Sequence, residues 1–250
     1  MNITWNANGY TQDFSFVHQY GEDVMKLITA APGAFAVDLG CGNGALTEKL
    51  AALGYRALGV DASPSMLEIA KSLHPDLSFM LADATAFDLP EKADVIFSNA
   101  VLHWIDADKQ PLLVQNLARQ LKTGGQLVCE FGGYGCAETV HAALERAFAA
   151  RGLVYPRVFY FPTVGQYAPL LESAGLRVTD AMLFDRPTPQ KSGLRGWIDM
   201  FVKAPFGGMA DDLKQAIVDE AVEACRPSLC MSDGTWVVDY VRIRLKAIKV

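Results

Sequence analysis

Short apolar runs alternate along the chain with stretches in which apolar residues recur at helical spacing. From Gln12 to Ala31, Phe16, Tyr20, Val24, Leu27 and Ile28 share one helical face, closed by Ala31-Pro32-Gly33. Ala36 to Leu39 reads as a buried first strand. Asn43 to Gly54 then predicts a helix with Leu46, Leu50 and Leu53 inward and Gly54 as its C-terminal cap. Strand-like segments follow at Leu58–Asp61, Leu77–Asp83, Val95–Asn99 and Gln126–Phe131. Between them lie helical patterns, one opened by Ser63 as N-cap with Pro64 behind it, one starting near Val101, and one over Pro111–Leu121 stopped by Thr123-Gly124-Gly125. Helices over Thr139–Arg151 and Gly165–Ala174, a sixth strand at Leu176–Phe184 and a seventh at Thr235–Ile248 complete the pattern. This α/β alternation predicts a parallel sheet covered by helices on both faces, with ligands at the C-terminal strand ends. The long interruption at 186–234 contains two helical pieces, Gly193–Lys203 and Asp211–Arg226, and reads as a small helical cap that acts as a lid or as an oligomer contact.

The chemistry gathers at those strand ends. Gly40, Gly42 and Gly44 form a turn that lets backbone approach a ligand closely. Their spacing also satisfies the loose dinucleotide fingerprint, so the glycines alone do not name the ligand. Asp38 stands two residues before the first glycine, where a carboxylate repels pyrophosphate and attracts a cationic ligand such as S-adenosylmethionine (SAM), which carries an ammonium and a sulfonium but no phosphate. Asp61 and Asp83 end the second and third strands, placing three carboxylates along one edge of the sheet. An acid at the end of the second strand also suits NAD, so Asp61 indicates an adenosine ligand more than a particular one.

Val37-Asp38-Leu39-Gly40-Cys41-Gly42-Asn43-Gly44 resembles the first motif of the class I SAM-dependent methyltransferases. Leu58-Gly59-Val60-Asp61, Phe79-Met80-Leu81-Ala82-Asp83-Ala84 and Asp94 to Trp104 follow in that superfamily's order. The resemblance implies a Rossmann-like, seven-stranded, mostly parallel sheet whose last strand is antiparallel. It implies that Asp38 lies near the methionine ammonium, that Asp61 accepts from the ribose hydroxyls, and that Asp83 accepts from the adenine amine. Gly40, Cys41, Gly42, Asn43 and Gly44 would form the cofactor turn, with Ala62, Met66 and Ala84 beside adenine and Asn99 and Ala100 near the methionine half. The chain is most similar to trans-aconitate methyltransferase-like proteins of the methyltransferase type 11 family, which implies O-methylation of a carboxylate. In such proteins an N-terminal segment folds over the cofactor, making 1–32 the covering element and Tyr10 a cofactor contact. A carboxylate acceptor needs no base; for an amine or phenol the candidates are His103, Glu130 and Tyr240. Arg157, Arg195 and Arg242 are scattered and form no recognisable cluster for a tricarboxylate. The other classes compatible with the chain are an NAD-dependent oxidoreductase and a SAM-binding protein without catalysis.

Composition narrows the partners. The 250 residues suit one domain, and a net charge of −6 without a basic run argues against a nucleic-acid surface and for a small-molecule acceptor. Five cysteines, at 41, 129, 136, 225 and 230, show no metal-ligand spacing and read as reduced thiols, with no metal expected. Without a signal-like or membrane-length apolar run, a soluble cytoplasmic monomer or homodimer is expected.

Overall fold

The computed structural model describes residues 16–250, with side chains from residue 21 onward. Helix α1 (Phe16–Met25) precedes β1 (Phe35–Leu39), α2 (Ala45–Ala52), β2 (Arg56–Asp61), α3 (Pro64–Leu73), β3 (Ser78–Leu81) and β4 (Ala93–Asn99). After two single 3₁₀ turns (Leu102–Trp104 and Ala107–Lys109) come α4 (Gln110–Gln120), β5 (Leu121–Gly132), α5 (Glu138–Ala149), α6 (Val164–Ser173) and β6 (Leu176–Asp185). The chain closes with β7 (Thr188–Gln190), α7 (Gly193–Phe201), a 3₁₀ turn at Ala204–Phe206, α8 (Asp211–Leu229), β8 (Trp236–Val238) and β9 (Val241–Lys249). Seven strands form one sheet in the order β3-β2-β1-β4-β5-β9-β6. The first five are parallel, and β9 runs antiparallel to both β5 and β6.

Burial explains the layering. Every residue of β1 is buried, as a central parallel strand covered on both faces requires. On one face Val37, Leu39 and Ile96 pack with Leu113 and Leu117 of α4 and Leu171 of α6; on the other, Ala36, Val95 and Phe97 meet Val24, Leu46 and Leu50 from α1 and α2. A further cluster joins α5, α7 and α8 through Leu144, Ile198 and Ile217, so the cap shares a core with the domain beneath it. The strand order reverses beside β1, and the crevice between the ends of β1 and β4 opens there.

Three expectations are corrected. The predicted helix over Gln12–Ala31 stops at Met25 within the described residues, where Leu27 and Ile28 turn back to bond Val24 and Met25. In place of a helix from Val101 there is one 3₁₀ turn. The predicted final strand is two: β8 pairs with β7 in a separate ribbon, and β9 joins the main sheet. The break falls at Asp239, whose Oδ2 accepts from the Thr139 amide (3.0 Å) and hydroxyl (2.8 Å) at the start of α5. Tyr240 follows, and its carbonyl accepts from the Arg186 amide.

The connection from β4 to α4 is held from beneath by Gln110, whose Nε2 donates to the carbonyls of Leu102 (2.9 Å) and Ile105 (2.8 Å) while its Oε1 accepts from the buried Tyr167 hydroxyl (3.2 Å). Gln110→Leu leaves the Ile105 carbonyl and the Tyr167 hydroxyl without these partners, while the Leu102 carbonyl keeps the Ile105 amide, and an expected loss of roughly 1 to 3 kcal/mol in unfolding free energy is measurable by denaturant titration.

Candidate active site

The glycine turn is fastened by carboxylate and backbone together. Gly40 and Cys41 donate their amides to the Val60 carbonyl, and Gly42 donates to Asp61 Oδ2 at 2.9 Å, while Ser63 donates to Oδ1 at 2.8 Å. Gly40 has φ +77°, and a Cβ there would lie 2.2 Å from Val101 Cγ2, so backbone direction and side-chain space both demand glycine. Burial raises the Asp61 carboxyl above its ordinary range, with the amide bonds opposing. Asp83 lies two residues beyond β3, where one oxygen accepts from the Thr85 amide (2.8 Å) and hydroxyl (2.6 Å). Partial burial pulls its carboxyl upward, but these bonds prevail and hold it below the usual range.

Between Asp61 and Asp83 lies a cleft lined by Leu39, Gly40, Ala62, Ala84, Val101 and Ile105, among others, with Trp104 at one end. Two carboxylate acceptors on the rim of an apolar slot fit an uncharged nucleoside that offers hydroxyl and amine donors. They do not fit a phosphate.

Asp38 is placed differently from its neighbours. It is 1% exposed, accepts from the Thr47 hydroxyl at 2.7 Å, and stands behind the turn outside the cleft lining. Burial, with the nearby Asp61 charge adding to it against the Thr47 bond, pushes its carboxyl up to about 7. Cys41 is buried beside it with its thiol pushed up for the same reason. Asn43 is buried and its Oδ1 accepts from the Ala45 amide at 3.3 Å, while Gly44 turns the chain into α2 with φ +83°. Met66 backs Gly42 and does not reach the cleft surface. Asn99 ends β4 and lines neither cavity. Tyr10 lies outside the described residues.

A second cavity adjoins the first across Trp104 and is lined by Ala100, His103, Cys136, Ala137, Phe159, Phe161, Trp197, Phe201, Tyr240 and Arg242. Phe159 and Phe161 stack at 5.3 Å, and Trp197 Nε1 donates to the Tyr240 hydroxyl at 2.5 Å. Behind this wall His141 is buried, its Nδ1 2.8 Å from the Tyr155 hydroxyl and its Nε2 without a partner among the described residues. Arg242 is 7% exposed and packs 4.6 Å from the centre of the Tyr240 ring, with no ion pair among the described residues. The register explains this. Glu130 opposes Arg244 across β5 and β9, but the next position on that face of β5 is Gly132, which gives Arg242 no acid.

Of the residues predicted as bases, His103 and Tyr240 line this cavity and Glu130 does not. Glu130 is 2% exposed and held by Arg186 and by Arg244 Nε (2.7 Å), so its lone pairs are committed to an ion-paired strut and it is corrected as a candidate base. His103 is corrected in role. Its Nδ1 accepts from the Gly132 amide at 3.1 Å, which leaves the proton on Nε2, and burial together with the Arg242 charge holds the ring neutral, well below its usual range. It therefore presents a donor to the cavity.

Sequence reasoning missed Arg242 as part of a site, together with Phe159, Phe161 and Trp197. The available signals were the alternation of Phe159 with Phe161 and of Tyr240 with Arg242, each placing both members of a pair on one side of an extended segment. Arg157 pairs with Glu138 and Glu145, and Arg195 with Asp219, both on the surface. Among the described residues no cluster could hold a metal ion and no helix is long and apolar enough to cross a membrane.

Because Asp38 holds its proton in the folded chain up to about 7 but ionises near 3.8 when unfolded, its contribution to stability declines as pH rises between those values. His103 and His141 act oppositely, since burial holds both neutral and stability declines as pH falls below about 6.5. Asp38→Asn should therefore raise the melting temperature of ligand-free protein strongly at pH 8 and much less at pH 4.5, which thermal unfolding across the pH range reads directly.

The comparisons with known proteins agree with this geometry. Residues 37–129 match the family model described as a methyltransferase domain. An uncharacterized methyltransferase from Schizosaccharomyces pombe is 32% identical, with 98% of each chain covered. A trans-aconitate 2-methyltransferase from Methylobacterium radiotolerans is 37% identical over 59% of this chain and 56% of its own. Among solved structures, the YcgJ protein of Bacillus subtilis superposes with a TM-score of 0.66 at 18% identity, covering 93% of this chain and 98% of that one. The magnesium protoporphyrin IX methyltransferase of Synechocystis, solved with S-adenosylhomocysteine, gives 0.56 at 18% identity, over 93% and 83%. With the full-length relative, the matched domain and the seven-stranded sheet in agreement, the chain belongs to the class I SAM-dependent methyltransferases.

Proposed function

We propose that this methyltransferase esterifies the carboxylate of a small-molecule acceptor seated in the aromatic cavity, with the cofactor's nucleoside in the adjoining cleft. The single observation that carries this reading is Arg242, a buried guanidinium left without a carboxylate by the described residues and lining the cavity beside a neutral histidine donor. A buried cation is costly unless it is paired, and a carboxylate ligand supplies the partner. The resemblance to trans-aconitate 2-methyltransferases supports the same acceptor chemistry at a distance.

SAM supplies a methyl carbon on a sulfonium, so a new carbon–oxygen bond forms as the carbon–sulfur pair returns to sulfur, and a carboxylate acceptor gives up no proton. The protein's work is therefore positioning. Asp61 and Asp83 offer acceptors for the ribose and the adenine amine. Asp38, one layer deeper, takes on its negative charge near neutral pH, where it favours a cationic cofactor. Arg242 and the His103 Nε2–H would fix the acceptor carboxylate, and the rings of Trp104, Phe159, Phe161 and Trp197 keep water from the reacting oxygen. The cap carries Trp197 and Phe201 into this wall, which makes it part of the acceptor site. A soluble, cytoplasmic enzyme, monomeric or dimeric, fits this chemistry.

Incubation with methyl-labelled SAM should place label in base-labile methyl esters; label confined to amines or phenol ethers would refute the reading. Arg242→Met should lower kcat/KM for the ester-forming reaction by roughly 10- to 150-fold, the worth of a charged hydrogen bond, with S-adenosylhomocysteine affinity unchanged by calorimetry. Asp61→Ala should do the reverse, weakening S-adenosylhomocysteine by roughly 1 to 3 kcal/mol through the loss of an acceptor for paired hydroxyls.

A further inference from the structure

The charge inventory around the aromatic cavity goes further than a carboxylate acceptor in general. A tricarboxylate such as trans-aconitate brings three negative charges, and the described lining contains one cation, Arg242. The other arginines that sequence or register brings into consideration are committed: Arg186 and Arg244 to Glu130, Arg157 to Glu138 and Glu145, Arg195 to Asp219. Lys109 belongs to the neighbouring cleft and pairs with Asp106 at 2.7 Å. Residues 1–20, whose side chains lie outside the described set, include neither lysine nor arginine, so that segment has no such side chain to contribute.

Rings and small side chains make up most of the remaining wall. Trp104, Phe159, Phe161, Trp197 and Phe201 surround the space, with Trp104 against Phe159 at 4.8 Å and Trp197 against Phe201 at 5.5 Å. Aromatic faces carry negative electrostatic potential, so a second carboxylate placed against them would lose its water and meet repulsion. An apolar body in the same place gains by leaving water. The His103 ring, kept neutral, adds a hydrogen-bond donor without adding charge.

Resting on the carboxylate reading above, we infer that the acceptor is a monocarboxylic acid with an apolar aryl or alkyl body, its carboxylate on Arg242 and its body between the rings, and that polycarboxylates are poor substrates. The carboxylate oxygen takes the methyl group, the sulfur keeps the bonding pair, and the products are a neutral methyl ester and S-adenosylhomocysteine, with no reactant besides SAM and the acid.

The test uses the full chain with methyl-labelled SAM and two sets of probes at matched concentrations. One set is 3-phenylpropanoate, indole-3-acetate and octanoate; the other is trans-aconitate and citrate. Ester formation is followed as kcat/KM, and binding of each acid to protein saturated with S-adenosylhomocysteine is followed by calorimetry. At least one apolar monocarboxylate should exceed both polycarboxylates by about tenfold or more, and Arg242→Met should remove that advantage, as expected when one desolvated charge decides recognition. A preference for trans-aconitate or citrate would overturn the inference and leave carboxylate esterification standing. Methylation of amines or phenols with no ester from either set would overturn both. Failure of every monocarboxylate either to bind the saturated protein or to be methylated would overturn the inference alone if a polycarboxylate succeeds, and both readings if none does.

Discussion

A single carboxylate, Glu130, joins the strands that stand behind the aromatic cavity. Its side chain takes Arg244 from β9 and Arg186 from the turn after β6, and its backbone carbonyl accepts from the Ala100 amide at the end of β4, at 2.7 Å. Buried ion pairs are weak sources of net stability, but removing one partner leaves a stranded charge, so such a group fixes geometry more than it adds free energy. Here it fixes where β9 lies against β5. That register sets Arg242 opposite Gly132 and leaves its guanidinium to the cavity. One acid among three arginines thus separates a structural cation pair from a cation available to a ligand.

The cofactor side shows a related economy. Asp61 spends its two oxygens on amides of the glycine turn and of the residue that opens α3, so the group proposed to receive ribose also shapes the loop around it. Asp38 is buried deeper and remains partly protonated near neutrality. Both are costly to the folded chain without a ligand, and a bound cation or donor returns part of that cost, which is the ordinary thermodynamic linkage between binding and stability.

Much of the fold and the cofactor cleft was legible because their signals are local. The glycine turn, the acids at Asp61 and Asp83 and the Ser63 cap each lie within a few residues of the strand or helix they end, and Ser63 does accept from the Met66 amide. The acceptor cavity was less legible because its meaning comes from distant partners. Asp239 breaks the last strand by reaching Thr139, 100 residues away, and nothing adjacent to Asp239 in sequence announces that bond. His103 looked like a base until the amide of Gly132, 29 residues on, fixed its proton on the other nitrogen. Arg157, Arg195 and Arg242 were equivalent as letters; pairing across elements made two of them surface struts and left the third inside.

Ala100 carries a different consequence. It occupies the left-handed region with φ +61°, held by its amide bond to Glu130 and by Trp104 Nε1, which donates to its carbonyl at 3.2 Å. An L-residue there bears about 1 to 2 kcal/mol of strain that glycine escapes, and the methyl group that incurs it forms part of the chamber wall. A narrow chamber therefore comes at a cost in folding energy here, as it does at Ala137, the other wall residue with positive φ (+54°). An engineer seeking to admit bulkier acids would begin here, since widening the chamber by a methyl also relaxes the chain.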